Sequence, residues 1–239
     1  MTALRREAPA GVDALYPFLA GDTTGDADLL ADLRQSTVDK AYEIIELRRR
    51  VAERDAARLG ACAADMARAF AAGGALLAFG NGGSATDAQD LASLFMSADG
   101  DGSRGGLPAF SLTNDVAVLT ALSNDIGFEA AFARQIAALG HPGDIAVGLS
   151  TSGNSPNLLR AFDEAHGRGL LTVGIAGGDG GRMAGLPSID YLFVVASPSV
   201  HRIQEAQTTI YHGLWELTLT AAASGSGVPA ITSTGGAPR

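Results

Sequence analysis

The sequence predicts an α/β fold in which a five-stranded parallel sheet lies between layers of helices. Five short apolar runs stand at 75–79, 109–112, 145–149, 170–175 and 191–195. The segments between them are long enough for helices or crossovers, and many of the 31 glycines gather near the ends of short apolar runs, as at Gly80, where strand gives way to loop. Continuous apolar strands belong to a sheet covered on both faces, and helix-length connections make such a sheet parallel. With long helices at both ends, these features describe a flavodoxin-like three-layer sandwich.

Residues 1–26 lack periodicity, carry Pro9, Gly11 and Pro17, and read as an N-terminal arm. From there the pattern turns helical as far as position 72, with Leu29, Leu30, Leu33, Val38 and Ala41 recurring mostly at three- and four-residue steps. Two extra N-terminal helices, 28–52 and 54–71, are expected, the second rich in alanine and stopped by Gly73-Gly74. Further helices are expected over 84–97, 125–139, 155–167 and 200–222, with a turn at Pro142-Gly143. One domain over 27–222 follows. The Ala/Ser/Gly/Thr/Pro composition of 223–239 predicts a disordered tail.

Composition excludes several classes. No run of 18 apolar residues occurs, so no membrane span is expected, and the N-terminus lacks the apolar core of a signal peptide. One cysteine, Cys62, cannot form an internal disulfide, and a cytoplasmic location is the default expectation. A formal net charge of −9 repels nucleic acid, so direct binding to it is not expected. The basic run Arg48-Arg49-Arg50, interleaved with Glu46, Glu53 and Asp55, reads as a solvated helix face.

Two strand-to-helix junctions carry the chemistry. The first is Gly80-Asn81-Gly82-Gly83-Ser84-Ala85-Thr86-Asp87, where glycines allow a sharp turn and close approach to a ligand and Ser84 stands at the start of the next helix. The second is Ser150-Thr151-Ser152-Gly153-Asn154-Ser155, four hydroxyls within six residues at a helix N-terminus. Exposed N–H groups and the positive helix end make that junction a cradle for phosphate oxygens. Ser84 and Ser155 taken singly read as helix caps; two such turns, each after a buried strand, favour a ligand. Neither is a GxGxxG fingerprint or a Walker loop, which disfavours nucleotide hydrolysis. A flavin site would need aromatics flanking a ring, and neither loop has one.

These motifs, with Ser123-Asn124-Asp125 and Arg202-Ile203-Gln204-Glu205, stand in the order and separation of the phosphoheptose isomerase family of SIS (sugar isomerase) domains. The chain resembles that family over roughly 28–222. The resemblance implies a homotetramer with sites formed between subunits. It implies that Asn81, Gly82, Gly83, Ser84, Asn124, Asp125, Ser150, Thr151, Ser152, Ser155 and Gln204 bind a phosphorylated sugar. Ser150, Thr151, Ser152 and Ser155 would hold the phosphate, and Asn81, Asp125 and Gln204 the sugar hydroxyls. The family interconverts sedoheptulose 7-phosphate and a heptose 7-phosphate by proton transfer between C1 and C2. The segments 116–125 and 138–144 also resemble a replication-initiator-associating protein of the same family, which implies a protein partner as an alternative role.

One part of the family pattern is missing. The resemblance calls for a histidine and, four residues on, a glutamate in the helix after the first loop, and for a glutamine and a histidine eight apart in the last helix. These four can hold zinc, and the glutamate and last histidine are the acid–base pair. Gln204 and His212 match, but the other two positions are Asp90 and Leu94. Leucine neither binds metal nor moves protons, and the remnant is too small for a closed zinc site. No metal or cofactor is therefore expected, beyond weak zinc binding. Asp90 and His212 are the catalytic candidates. Asp90 reads as a displaced base, as a ligand beside His212 or as a solvated helix residue; His212 alternatively reads as a hydrogen-bonded packing residue. His201 stands where the family has an acidic residue. His141 and His166 read as surface turn residues.

Overall fold

The structure is a computed structural model, which describes residues 26–97 and 105–224. It divides into two compact units, Met1–Glu43 and Ile44–Arg239. The described part of the first unit is helical and leaves Leu29, Leu30, Leu33 and Tyr42 exposed. Of the arm expected over 1–26 all but Asp26, and of the tail expected over 223–239 all but Ala223 and Ser224, lie outside the described residues; those three are helical.

In the order of the chain, helix α1 spans Asp26–Ala71, β1 Leu76–Gly80, α2 Gly83–Met96, β2 Ala109–Ser111 and α3 Val116–Asp125. A 3-10 turn, Phe128–Ala130, leads into α4, Ala131–Leu139. Then follow β3 Ile145–Ser150, α5 Pro156–Gly167, β4 Leu171–Gly177, a 3-10 turn Gly181–Gly185, β5 Tyr191–Val195 and α6 Val200–Ser224. All five strands are parallel, in the order β2-β1-β3-β4-β5. That is the flavodoxin-like α/β sandwich expected from the sequence.

Period-2 side-chain direction divides each strand between two cores. Leu76, Ala78, Ile145, Val147, Leu149, Val173 and Ile175 meet Met66 and Phe70 of α1, Leu91 and Phe95 of α2, and Ile203, Ile210 and Tyr211 of α6. Leu77, Phe79 and Ala146 face the other way, against Phe132 and Ile136 of α4 and Leu158, Ala161 and Phe162 of α5. Cys62 is fully buried in the first core.

Two helical expectations need correction. The helices expected over 28–52 and 54–71 are one continuous helix, because Ala52 and Glu53 favour helix and nothing between Val51 and Arg54 breaks it. The helix expected over 125–139 is instead the end of α3, a 3-10 turn and α4. Gly127, at φ 96°, adopts a conformation no helix allows and interrupts the run. On α1 the basic run is paired as expected of a solvated face: Arg49 bonds Glu46 and Glu53, and Arg50 lies 3.5 Å from Glu46. Among the described residues no helix is long and apolar enough to cross a membrane.

Candidate active site

In an open parallel sheet, ligands bind beyond the carboxyl ends of the strands where the strand order reverses. Here that point lies between β1 and β3, which pair in register from Leu76↔Ile145 to Gly80↔Leu149. The loops that leave these two strands are the two glycine- and serine-rich junctions, so the topology sets them side by side.

Gly82 has φ 56° and ψ −122°, and Ser84 N–H donates to the Asn81 carbonyl at 3.0 Å. This is a type II′ turn, whose first central position requires positive φ and therefore glycine. Gly82 is the N-cap of α2, which leaves Ser84 inside the first turn, buried. The next glycine serves a different need: a Cβ on Gly83 would collide with Gln204 Nε2 from α6. The turn thus brings Gln204 onto the first loop.

The second loop is braced from within. Ser150 Oγ accepts from Gly153 N–H at 3.0 Å, and Ser152 Oγ accepts from Asn154 N–H at 3.2 Å. Asn154 Oδ1 accepts from Arg182 N–H at 3.0 Å, which ties the loop to the one after β4. Ser155 occupies the N-cap of α5 with Pro156 at N1, yet its hydroxyl makes no capping bond. A serine Oγ that accepts from the backbone keeps its own proton to donate, so Ser150 and Ser152 retain donors for an anion. The two loops are joined by reciprocal amides: Asn81 Nδ2 donates to Asn157 Oδ1, and Asn157 Nδ2 to Asn81 Oδ1, both at 2.9 Å. Beneath them Gln207, fully buried, donates to the Ile175 carbonyl at 3.2 Å and lies 3.4 Å from that of Ser150.

Along α2 and α6, Asp87, Asp90, Gln204, Tyr211 and His212 come together beside the first loop. Asp90 is exposed, and its Oδ2 accepts from Tyr211 Oη at 2.7 Å and stands 3.8 Å from His212 Nε2. His212 lies with its ring 5.2 Å from that of Tyr211 and meets the edge of Trp215 at 6.4 Å. Asp87 Oδ2 is buried without a hydrogen-bond partner. Burial raises the Asp87 carboxyl above its ordinary range; Gln204, bonded to it, works in the opposite direction, and the Asp90 charge adds to the rise. Burial also drives the Tyr211 hydroxyl upward, so this phenol is neutral and a donor.

Leu94, one turn beyond Asp90, is half-buried against the first core. It places no polar atom in the cleft. Among the described residues no three His, Cys, Asp or Glu side chains are grouped to hold a metal ion. A tetrahedral zinc site needs four donors or three with an open position. With no such grouping of three, and with one Asp90 oxygen engaged by Tyr211, the side chains here do not fit it.

Asn124 and Asp125 stand apart from this hydrogen-bonded framework. They lie exposed at the end of α3, where Asn124 Nδ2 donates to Asp125 Oδ1 at 2.8 Å, and among the described residues no hydrogen bond joins them to either junction. His201 and His166 are exposed; His141 lies 3.7 Å from Asp144, whose carboxylate accepts the His141 and Ala75 N–H groups.

A family model described as SIS domain matches residues 41–177. The phosphoheptose isomerase of Nitratidesulfovibrio vulgaris strain Miyazaki F is 44% identical over 185 residues, which cover 77% of this chain and 88% of that one. The chain belongs to the phosphoheptose isomerase family of SIS domains. The phosphoheptose isomerase of Roseiflexus sp. is 42% identical over 75% of this chain and 90% of its own. Among solved structures, the family enzyme of Neisseria gonorrhoeae superposes with a TM-score of 0.69 at 35% identity, covering 79% of this chain and 99% of that one. Asn157 and Tyr211 were not singled out by the sequence, and Asp87 stood there only as the last residue of the first junction, with no role of its own. Its spacing, three residues before Asp90 on the same helical face, was the signal that could have drawn it out.

Proposed function

We propose that this chain binds a phosphorylated sugar of the sedoheptulose 7-phosphate type in the cleft between the β1 and β3 loops, in the cytoplasm. The observation that carries the reading is the pairing of those loops, joined by Asn81 and Asn157, with four hydroxyls gathered at the N-terminus of α5. Ser150, Thr151, Ser152 and Ser155 hold the phosphate. Asn81, Gly82, Gly83, Ser84 and Gln204 line the sugar, and Asp125 with Asn124 completes the site from a neighbouring subunit.

The chemistry is aldose–ketose isomerisation with an altered proton-handling set. One group takes a proton from the carbon beside the carbonyl while the carbonyl oxygen is protonated, an enediol forms, and a proton returns at the former carbonyl carbon as the neighbouring hydroxyl gives up its own. Asp90 and His212 are the groups left to do this, and Leu94 cannot contribute. The same leucine favours a second reading: a sugar-phosphate-binding regulator that has lost turnover and acts through a protein partner. Zinc would bind weakly at most.

Both readings require ligand binding. A sugar phosphate at roughly a hundredfold excess over its dissociation constant should stabilise the protein by about 2.7 kcal/mol. Thermal melts with sedoheptulose 7-phosphate and other sugar phosphates at millimolar levels test this, and no shift with any of them removes the reading. The subunit arrangement is tested separately. Exposed Leu29, Leu30, Leu33 and Tyr42 on α1, and the isolation of Asn124 and Asp125, support a symmetric homotetramer. Light scattering at micromolar concentration should give four chains; a monomeric mass would rule that out.

A further inference from the structure

We propose that Tyr211 is a positioning residue of the cleft, holding the Asp90 carboxylate in front of His212 so that the three side chains act as one unit. The proposal rests on the reading above, in which Asp90 and His212 handle the sugar's proton. Tyr211 is only 2% exposed and is among the largest fully buried side chains, so its ring has no room to turn. Its hydroxyl reaches from α6 to α2 and donates to Asp90 Oδ2 at 2.7 Å. The same oxygen faces His212 Nε2 at 3.8 Å. Two neighbours in sequence, one buried and one half-buried, therefore converge on a single carboxylate oxygen.

Geometry makes this contact decisive for Asp90. The aspartate side chain is about half exposed and, as an exposed group on a helix surface, would otherwise sample several rotamers. Leu94, the neighbour one turn on, gives it no polar contact. Asp87, the other charged group on this stretch of α2, is engaged with Gln204 and repels Asp90. The Tyr211 hydroxyl is thus the donor that fixes where the carboxylate stands. A hydrogen bond to a charged acceptor is worth about a factor of ten or more in an equilibrium. Misplacing a reacting group by ~1 Å can cost ~100-fold in rate.

The test uses the full chain and two probes. A phosphorylated aldonohydroxamate imitates the enediol and reaches the proton-handling end of the cleft; inorganic phosphate reports on the serine loop alone. Tyr211→Phe should weaken hydroxamate binding roughly 10-fold and leave phosphate binding unchanged. Asp90→Asn should do the same. The double variant should lose no more than either single one, because both remove one interaction. Equal hydroxamate affinity in Tyr211→Phe and wild type, or losses that multiply in the double variant, would overturn the role of Tyr211. Parallel loss of phosphate binding in Tyr211→Phe would mark the tyrosine as a packing residue and overturn it too; Asp90→Asn, on an exposed position, carries the cycle if the tyrosine variant is unstable. Failure of the wild type to bind phosphate at all would instead refute the sugar-phosphate reading. Wild type that binds phosphate but holds the hydroxamate no more tightly would refute the proton-handling pair, and Tyr211's role with it.

Discussion

Isomerisation of sedoheptulose 7-phosphate by the unmodified protein should run at least ~100-fold slower than by a family member carrying the histidine and glutamate, since a positioned acid or base contributes ~10²–10⁴-fold. The cause is local. Leu94 gives its side chain to the core where a carboxylate is called for, and Asp90 stands one turn away with one oxygen on Tyr211. The double change Asp90→His with Leu94→Glu should restore zinc binding and part of the turnover. The surrounding helix permits it: Ser93 is exposed and bonded back to Gln89, while Phe95 is buried against Phe70, so neither crosses the face of residue 94. Loss of the leucine's packing should cost roughly 0.5–3 kcal/mol, read as a lower melting temperature. Rapid isomerisation by the wild type that survives Asp90→Asn would show that another group moves the proton.

Gly153→Ala should abolish sugar-phosphate binding and destabilise the fold. Gly153 has φ 65°, a region costly for a residue with a Cβ, and that Cβ would run into the Gly180 carbonyl. Backbone strain and forced overpacking are each worth roughly 1–3 kcal/mol. The loop can relieve them only by leaving the β4 loop, which breaks the Asn154–Arg182 bond and moves Ser152 and Ser155. Denaturant unfolding and phosphate titration measure the two effects. Retained binding with unchanged stability would mean that the loop is looser than its hydrogen bonds imply.

The five strands and their direction were legible because a doubly covered parallel sheet imposes short, mostly apolar runs separated by helix-length segments. Helix α3 was not, since none of its residues is buried and an exposed helix leaves no periodic stripe to find. Its one local mark is Asp115, whose carboxylate caps the helix by accepting from Val118 N–H. The second junction was readable because Ser150, Thr151 and Ser152 are consecutive and Ser155 follows three positions on. Asn81 with Asn157, and Tyr211 with Asp90, meet across 76 and 121 positions. Such pairs are products of packing, and no short window of sequence contains both members.

The place of the cleft also bears on how the chain comes to fold. Its two loops meet only when β1 aligns with β3, and Ala75 and Asp144, at the foot of that seam, are 69 positions apart. Closing so long a stretch is entropically costly, and pairings of this kind form slowly. A chain that has built its helices and the local β3–β4 pair still has no place for a sugar phosphate. On the proposed reading, ligand competence requires the β1–β3 pairing, and a molecule bound across Asn81 and Ser152 would clasp that seam against reopening.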